Sequence, residues 1–461
     1  MAIKGLLYIY ILFVAVVSVF SFKRAIYLIW ITVLLLPPIV LLTGIKLHLS
    51  FITILMLGAF VSEILFSKGF KHYKSFWVRH QRAILLYFII SISIAVFSQT
   101  VPVTYQLRRL FAEIAMLIFA LQTFLLVKKE QNASKVLMWI VIGVVIFNVL
   151  YCGFFELYLG VNPAGEPLYL VLGIDDQEFL VDMIDQERGG LSLRAQTVYG
   201  HPLSLGQYML VLLPIFMAGE RTFGKFLVLL SMIMLTVLSG SRGAIAPIVL
   251  VTLLGLRFSF YRLIPKFLLL ISALLLIMLI VPERNLNKLE KGMEPYVVGL
   301  MFWDDQKQRE NDMGGSSMEM RFNQFDAALK EISANPVFGR GYGYREYWQN
   351  MHKGIHPDLM GYESVLVYYL VERGLIGLVF FFIMAFYMLK LFIQETTAKR
   401  FVKLIYLGWI LSIVMTGVRP LTLLFVCFSS SLLCGLYPKK SKSIVRREGE
   451  IPFTYSPHLS I

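Results

Sequence analysis

The sequence predicts an all-α integral membrane protein, a bundle of about 12–13 transmembrane helices with a large, partly helical extracytoplasmic loop. Three observations predict it: the composition, a series of apolar runs long enough to cross hydrocarbon, and the placement of the positive charges. Of 461 residues 57% are hydrophobic and only 16% charged, with a mean hydropathy of +0.71. A water-soluble chain carries about a quarter charged residues, so too few polar side chains remain to cover a globular surface. Lipid must solvate most of this chain.

Crossing the bilayer as a helix takes about 20 mostly apolar residues. Thirteen runs qualify, with one in doubt: 5–22, 25–43, 49–67, 83–100, 108–127, 136–157, 203–219, 224–240, 243–258, 265–282, 364–390, 402–418 and 421–437. The first follows Lys4, but Ser21-Phe22-Lys23 is a poor cleavage site, so the run reads as a membrane helix rather than a signal peptide. Pro37-Pro38 should kink the second run. Cys152, Cys427 and Cys434 all fall in apolar runs and read as packing residues, not as a disulfide or metal framework.

The net charge of +14 sorts by position and is no nucleic-acid footprint. Lys23, Arg24, Lys68, Lys71, Lys74, Arg79, Arg82, Lys128, Lys129, Lys135, Arg221 and Lys225 lie in alternate connections. So do Arg257, Arg262, Lys266, Lys390, Lys399, Arg400 and Lys403, and the tail adds five more from Lys439 to Arg447. The opposite short loops hold only Lys46, Arg108, Arg109, Arg242 and Arg419. The asymmetry places the C-terminus in the cytoplasm and, with an odd helix count, the N-terminus outside. Six regions follow: N-terminal helices 1–157, an extracytoplasmic loop 158–202, helices 203–282, a larger extracytoplasmic loop 283–363, helices 364–437 and a cytoplasmic tail 438–461. Loops this long in a compact protein are usually functional.

Four stretches could carry chemistry. The first loop ends in Arg194-Ala-Gln-Thr-Val-Tyr-Gly-His-Pro-Leu-Ser-Leu-Gly206, where Arg194 taken alone reads first as a snorkelling or salt-bridging residue at the membrane surface. The second stretch is the turn Ser239-Gly-Ser241-Arg242-Gly. Arg242 lies between two apolar runs on the charge-poor side, where an unpaired arginine costs a few kcal/mol. With open glycine N–H groups and the Ser241 hydroxyl beside it, its planar fork suits a phosphate better than a structural role.

In the third stretch, Met320, Phe322, Phe325, Ala328, Leu329 and Ile332 recur at helical spacing, with Arg321 and Lys330 off that face. Asn335-Pro-Val-Phe-Gly339-Arg340-Gly341-Tyr342-Gly343 then stops the helix in a glycine turn. It lacks the features of a nucleotide loop. Tyr342, Tyr344, Tyr347 and Trp348 either stack on sugars or pack the loop.

The fourth stretch runs from Gly361-Tyr-Glu363-Ser364 to Glu372-Arg373-Gly374-Leu-Ile-Gly377. Burial of Glu363 at the bilayer edge would raise its pKa toward that of a general base, while an interfacial carboxylate favoured by the helix dipole is an equal reading. Glu372 and Arg373 should face the bundle. Arg109 and Glu113, four apart on one helix, read first as an ion pair.

In this order and topology the four stretches resemble the O-antigen ligase and Wzy-type polymerase superfamily of bacterial surface polysaccharide synthesis. The resemblance spans roughly residues 190–380 and implies a GT-C-like helix bundle. The departure is at Glu363-Ser364, where ligases of the family carry His-Asn; the nearest histidine is His356. An acidic residue there looks more like the polymerase branch.

The resemblance implies a glycosyltransferase of the bacterial cytoplasmic membrane, with its active site on the extracytoplasmic side. It would use undecaprenyl-pyrophosphate-linked glycans as donor and acceptor, without cofactor, metal or nucleic acid, and work beside a flippase and a chain-length regulator. Glu363, Arg242 and His356 are then the catalytic candidates. Arg194, Arg321, Arg340, Ser241, Gly339, Gly341 and Tyr342 are the substrate-binding ones. Ligation of the glycan to an acceptor such as lipid A core is the second reading, and a transporter or flippase the third. A transporter would want charges at mid-depth and repeated broken helices, and no internal repeat is evident.

Overall fold

In the computed structural model the described residues are 2–35, 51–66, 70–98, 100–159, 161–164, 195–220, 222–256, 318–352, 359, 364–417 and 421–439. They form fourteen α-helices and, among them, no strand. In chain order these are α1 (Ala2–Phe20), α2 (Phe22–Leu35), α3 (Phe51–Phe66), α4 (Phe70–Phe97), α5 (Val103–Lys129), α6 (Gln131–Tyr151) and α7 (Pro202–Met217). There follow α8 (Phe223–Leu238), α9 (Arg242–Leu256), α10 (Met318–Ser333), α11 (Tyr344–His352), α12 (Val365–Glu395), α13 (Lys399–Thr416) and α14 (Thr422–Leu436).

Twelve of the thirteen expected spans coincide with helices; the run 265–282, Pro37-Pro38 and most of both long loops lie outside the described residues. Among the described residues, four segments are long and apolar enough to cross a membrane: Tyr73–Phe97, Val103–Lys129, Asn132–Tyr158 and Val365–Glu395. The protein is an integral membrane protein. Two bounds differ from expectation. With no Gly or Pro between Phe70 and Phe97, α4 begins at Phe70, so a Lys/Arg-rich segment counted as a connection continues the helix past the apolar run. Beyond Tyr151, α6 widens into a π-helical turn, Cys152–Tyr158.

The centre of the bundle is α7. Every residue from Ser204 to Met217 is buried, as expected of a helix apolar on all sides and surrounded by others; α8, α9, α13 and α14 pack around it. Its start is fixed by Pro202 in the first turn and by His201, whose Nδ1 accepts the Leu203 N–H at 3.1 Å. The buried Gln207 ties α7 to the α13–α14 junction, donating to Thr416 Oγ1 (3.1 Å) and Gly417 O (3.0 Å) and accepting from Thr422 Oγ1 (3.1 Å). At the N-terminal side, Trp30 of α2 lies 4.0 Å from the Phe428 ring and 5.2 Å from Phe119, and its Nε1–H donates to Thr123 Oγ1. One indole thereby joins α2, α5 and α14. The three cysteines are buried and free.

The amphipathic helix forms where the spacing places it. Gln324, Ala327, Ala328 and Ile332 are buried, while Phe322, Phe325 and Leu329 are exposed. The apolar stripe is thus divided between the protein and the outside. Ala327 and Ala328 lack bulk, so α10 can come close to Val367 and Val371 of α12. The larger side chains face outward, as in a helix resting in a membrane interface.

Candidate functional site

The site is built around a break in a membrane helix. Within α12, Gly374 adopts φ 63°, ψ −168°, far from helical values. Such a break frees backbone groups that lipid cannot satisfy, and the glycine turn of the preceding loop supplies them. Arg340 N–H donates to Val371 O (2.7 Å) and Gly341 N–H to Glu372 O (2.9 Å). In return, Leu375 N–H donates to Pro336 O (3.0 Å) and Ile376 N–H to Val337 O (3.2 Å). Two motifs over thirty residues apart thus form one backbone splice. Asn335 sets the turn up: its Oδ1 accepts the Phe338 N–H, its carbonyl accepts the Gly339 N–H, and its Nδ2 donates to Phe97 O at the end of α4.

A buried ionic centre lies under this splice. The Arg373 guanidinium pairs with Glu113 of α5. It also lies over the rings of Tyr342 at 4.4 Å and Tyr369 at 4.5 Å, with Tyr368 at 6.0 Å. Glu372 turns the other way, accepting the Gly343 N–H at 2.9 Å and the Arg345 N–H at 3.5 Å. Gln106 is fully buried; its amide donates to Ala95 O, Ser98 Oγ and Val101 O, and its Oε1 accepts the Tyr342 N–H at 2.9 Å. Arg109 pairs with Glu346 of α11, which also accepts from Tyr105 Oη at 3.2 Å. The expected Arg109–Glu113 pair is therefore corrected: each residue takes a partner more than two hundred positions away. A local helix pair is worth only about 0.2–0.5 kcal/mol, and these tertiary partners outcompete it.

The Ser-Arg-Gly turn lies at the same end of the bundle. Gly240, at φ 60°, reverses the chain after α8, and Arg242 opens α9. Ser241 is buried at this junction, and its Oγ has no hydrogen-bond partner among the described residues. Two neighbours come close only because glycines face them. A Cβ on Gly206 would lie 2.8 Å from Ala244 Cβ, and one on Gly243 would fall inside the Thr416 side chain.

Ala195, next to Arg194, donates its N–H to Leu238 O at 3.1 Å, which ties the end of the first loop to the end of α8. Glu156, inside the π-helical turn, grips the same segment. Its Oε1 accepts Thr197 N–H (2.7 Å), Gln196 N–H (3.0 Å) and Asn162 Nδ2–H (3.1 Å). Thr197 is held there at φ 49°, a conformation a β-branched residue adopts only under constraint.

The sequence candidates fall into three groups. Glu363, His356 and Arg194 lie outside the described residues, and for Arg242 and Arg321 only the helical backbone is described. Ser241 sits beside Arg242, at the head of α9. Gly339, Arg340, Gly341 and Tyr342 come together at the splice: Tyr342 is buried against Arg373, and Arg340 Nε donates to Glu331 Oε2 at 2.9 Å. Burial, with the nearby Glu331 carboxylate, pushes the Tyr344 hydroxyl up to about 12, and it donates to that carboxylate at 3.1 Å.

Sequence reasoning passed over Gln106 and Glu156. The signal was available: a polar or ionisable residue at the edge of a membrane run marks a functional or structural centre.

Residues 227–382 match the family model described as O-antigen ligase. Across that stretch the chain is similar to the O-antigen ligase and Wzy superfamily. The matched stretch starts within α8 and ends within α12, so it contains the Ser-Arg-Gly turn, α10, the glycine turn and the break at Gly374. This likeness points to a glycosyltransferase-like membrane enzyme of polysaccharide synthesis. No curated protein matches the chain.

Proposed function

We propose that this protein is a polymerase that joins undecaprenyl-pyrophosphate-linked oligosaccharide repeat units into a bacterial surface polysaccharide. The observation that carries the reading is that α9 and α12 begin at one end of the bundle. Arg242 stands in the first turn of α9, and Glu363 directly precedes Ser364, whose Oγ caps α12 by accepting the Leu366 N–H at 3.2 Å. A helix N-terminus offers free N–H groups and positive potential to an anion. An arginine there suits a pyrophosphate, and in the proposal the Glu363 carboxylate serves the attacking hydroxyl.

The reaction is a displacement at the anomeric carbon. Glu363 takes the proton of a hydroxyl at the non-reducing end of the acceptor repeat unit. That oxygen forms a bond to the donor's anomeric carbon from the face opposite the pyrophosphate. The bond from that carbon to the pyrophosphate oxygen breaks and the configuration inverts. Undecaprenyl pyrophosphate leaves with the negative charge, held by Arg242 with Arg194 and Arg321. Stabilising charge that develops in the transition state is where such donors contribute most. The extracytoplasmic face of the cytoplasmic membrane is the site of this step in the proposal, with a flippase supplying repeat units and a chain-length regulator as partner.

Purified protein given a lipid-linked repeat unit should produce a ladder of longer products, and Arg242→Ala and Glu363→Ala should each slow it by about a hundredfold or more. Near wild-type turnover in both variants would overturn the site assignment. The matched family's description favours a second reading, ligation. Transfer to lipid A core without a ladder would establish it instead.

A further inference from the structure

The end of the bundle opposite the splice holds a second site. A crevice of about 350 Å³ opens where α4, α5 and α12 diverge. Phe76, Phe124 and Leu391 line its apolar part, and Arg79, Lys128 and Lys129 its charged part. The carboxylates nearby are already engaged. Glu395 pairs with Lys128 at 2.7 Å, Glu130 pairs with Lys23, and Glu63 accepts from Tyr73 and from Gln122 Nε2. Arg79 and Lys129 are exposed and form no ion pair among the described residues. Two cations outside any ion pair among the described residues therefore stand beside an apolar floor. Trp77, beside Arg79, is exposed in the manner of residues at headgroup depth.

We propose that this crevice binds the phosphate-bearing headgroup of an anionic phospholipid. Its paired requirements, a phosphate for two cations and hydrocarbon beside them, are those of basic pockets between membrane helices. The flank of α4 extends the fit. Only 17% of its apolar window is buried, and Leu85, Ile89, Ile92 and Val96 stand exposed along it. An acyl chain can lie along that row while the headgroup sits between Arg79 and Lys129. A free phosphate would use the cations and leave the row unoccupied.

The test is lipid retention by the full chain in mild detergent, read by native mass spectrometry after exposure to equimolar phosphatidylglycerol and phosphatidylcholine. Wild-type protein should retain phosphatidylglycerol over phosphatidylcholine by about tenfold, and Arg79→Ala with Lys129→Ala should bring the ratio near one. Arg79→Lys should preserve the preference. So should Lys399→Ala with Lys403→Ala, a pair of exposed lysines outside the crevice. Equal retention of the two lipids by wild-type protein, or an unchanged preference in the double variant, overturns the proposal. Displacement of the lipid by millimolar glycerol phosphate as readily as by phosphatidylglycerol overturns it in favour of a free anion.

Discussion

Gly339 and Gly374 meet backbone to backbone. A Cβ on Gly339 would lie 2.5 Å from Gly374 N, and one on Gly374 would lie 2.7 Å from Gly339 N and 2.3 Å from Val337 O. Both residues also hold positive φ, 72° and 63°. Gly339→Ala and Gly374→Ala should each destabilise the protein by about 2–4 kcal/mol, since strain and overlap with rigid backbone act together. Thermal unfolding in detergent, with limited proteolysis of the 336–343 turn, checks this. Wild-type melting and an equally protected turn would show that the splice does not hold the loop.

Arg373 and Glu113 form a half-buried pair whose removal is asymmetric. Arg373→Ala leaves a partly exposed carboxylate facing tyrosines and should cost about 1–3 kcal/mol. Arg373→Lys should recover little, because an ammonium cannot lie flat on Tyr342 and Tyr369. Combining Arg373→Met with Glu113→Leu should lose less than either single change, as a double-mutant cycle on melting temperature would reveal.

Glu156 acts on the first loop through its backbone bonds to residues 196 and 197. Bonds to a charged acceptor contribute about 1.5–3 kcal/mol. Glu156→Ala should release the segment after Arg194 and raise the KM for the proposed lipid-linked donor about tenfold or more with a smaller change in kcat. A fall in kcat at constant KM would show that Glu156 does not act by positioning a donor-binding residue.

Arg242→Ala should lower kcat by about 10²–10³-fold, as loss of one stabilising donor does. Glu363→Gln should lower it by about 10²–10⁴-fold, the range for a general base. Arg242→Lys should stay impaired, because a point charge does not replace a bidentate fork. Initial rates of ladder formation measure all three.

The residues of the splice are visible in the sequence, but their connection is not. Asn335-Pro-Val-Phe-Gly339 reads as a helix stop and glycine turn, and Gly374 as a glycine within an apolar run. That each satisfies the other's open backbone groups follows only when α10 and α12 pack together. The same holds for Glu113. Its i, i+4 neighbour is a good local guess, and Arg373 lies 260 positions away. On α10 the spacing fixed the helix but not the inward face. A row of Phe and Leu and a pair of alanines both fit a helical stripe, and the close approach of α12 selected the alanines.

By itself the sequence determined that this chain lives in a membrane and where most of its described helices run. Hydropathy and helical periodicity are local properties, readable within about twenty residues. The tertiary structure alone decided that α12 breaks at Gly374 and is mended by a distant loop, that Arg373 and Glu113 pair, and that Glu156 grips the segment beside Arg194. In hydrocarbon an open polar group must find a partner inside the protein. Which partner it finds depends on distances between helices, and these are not written along the chain.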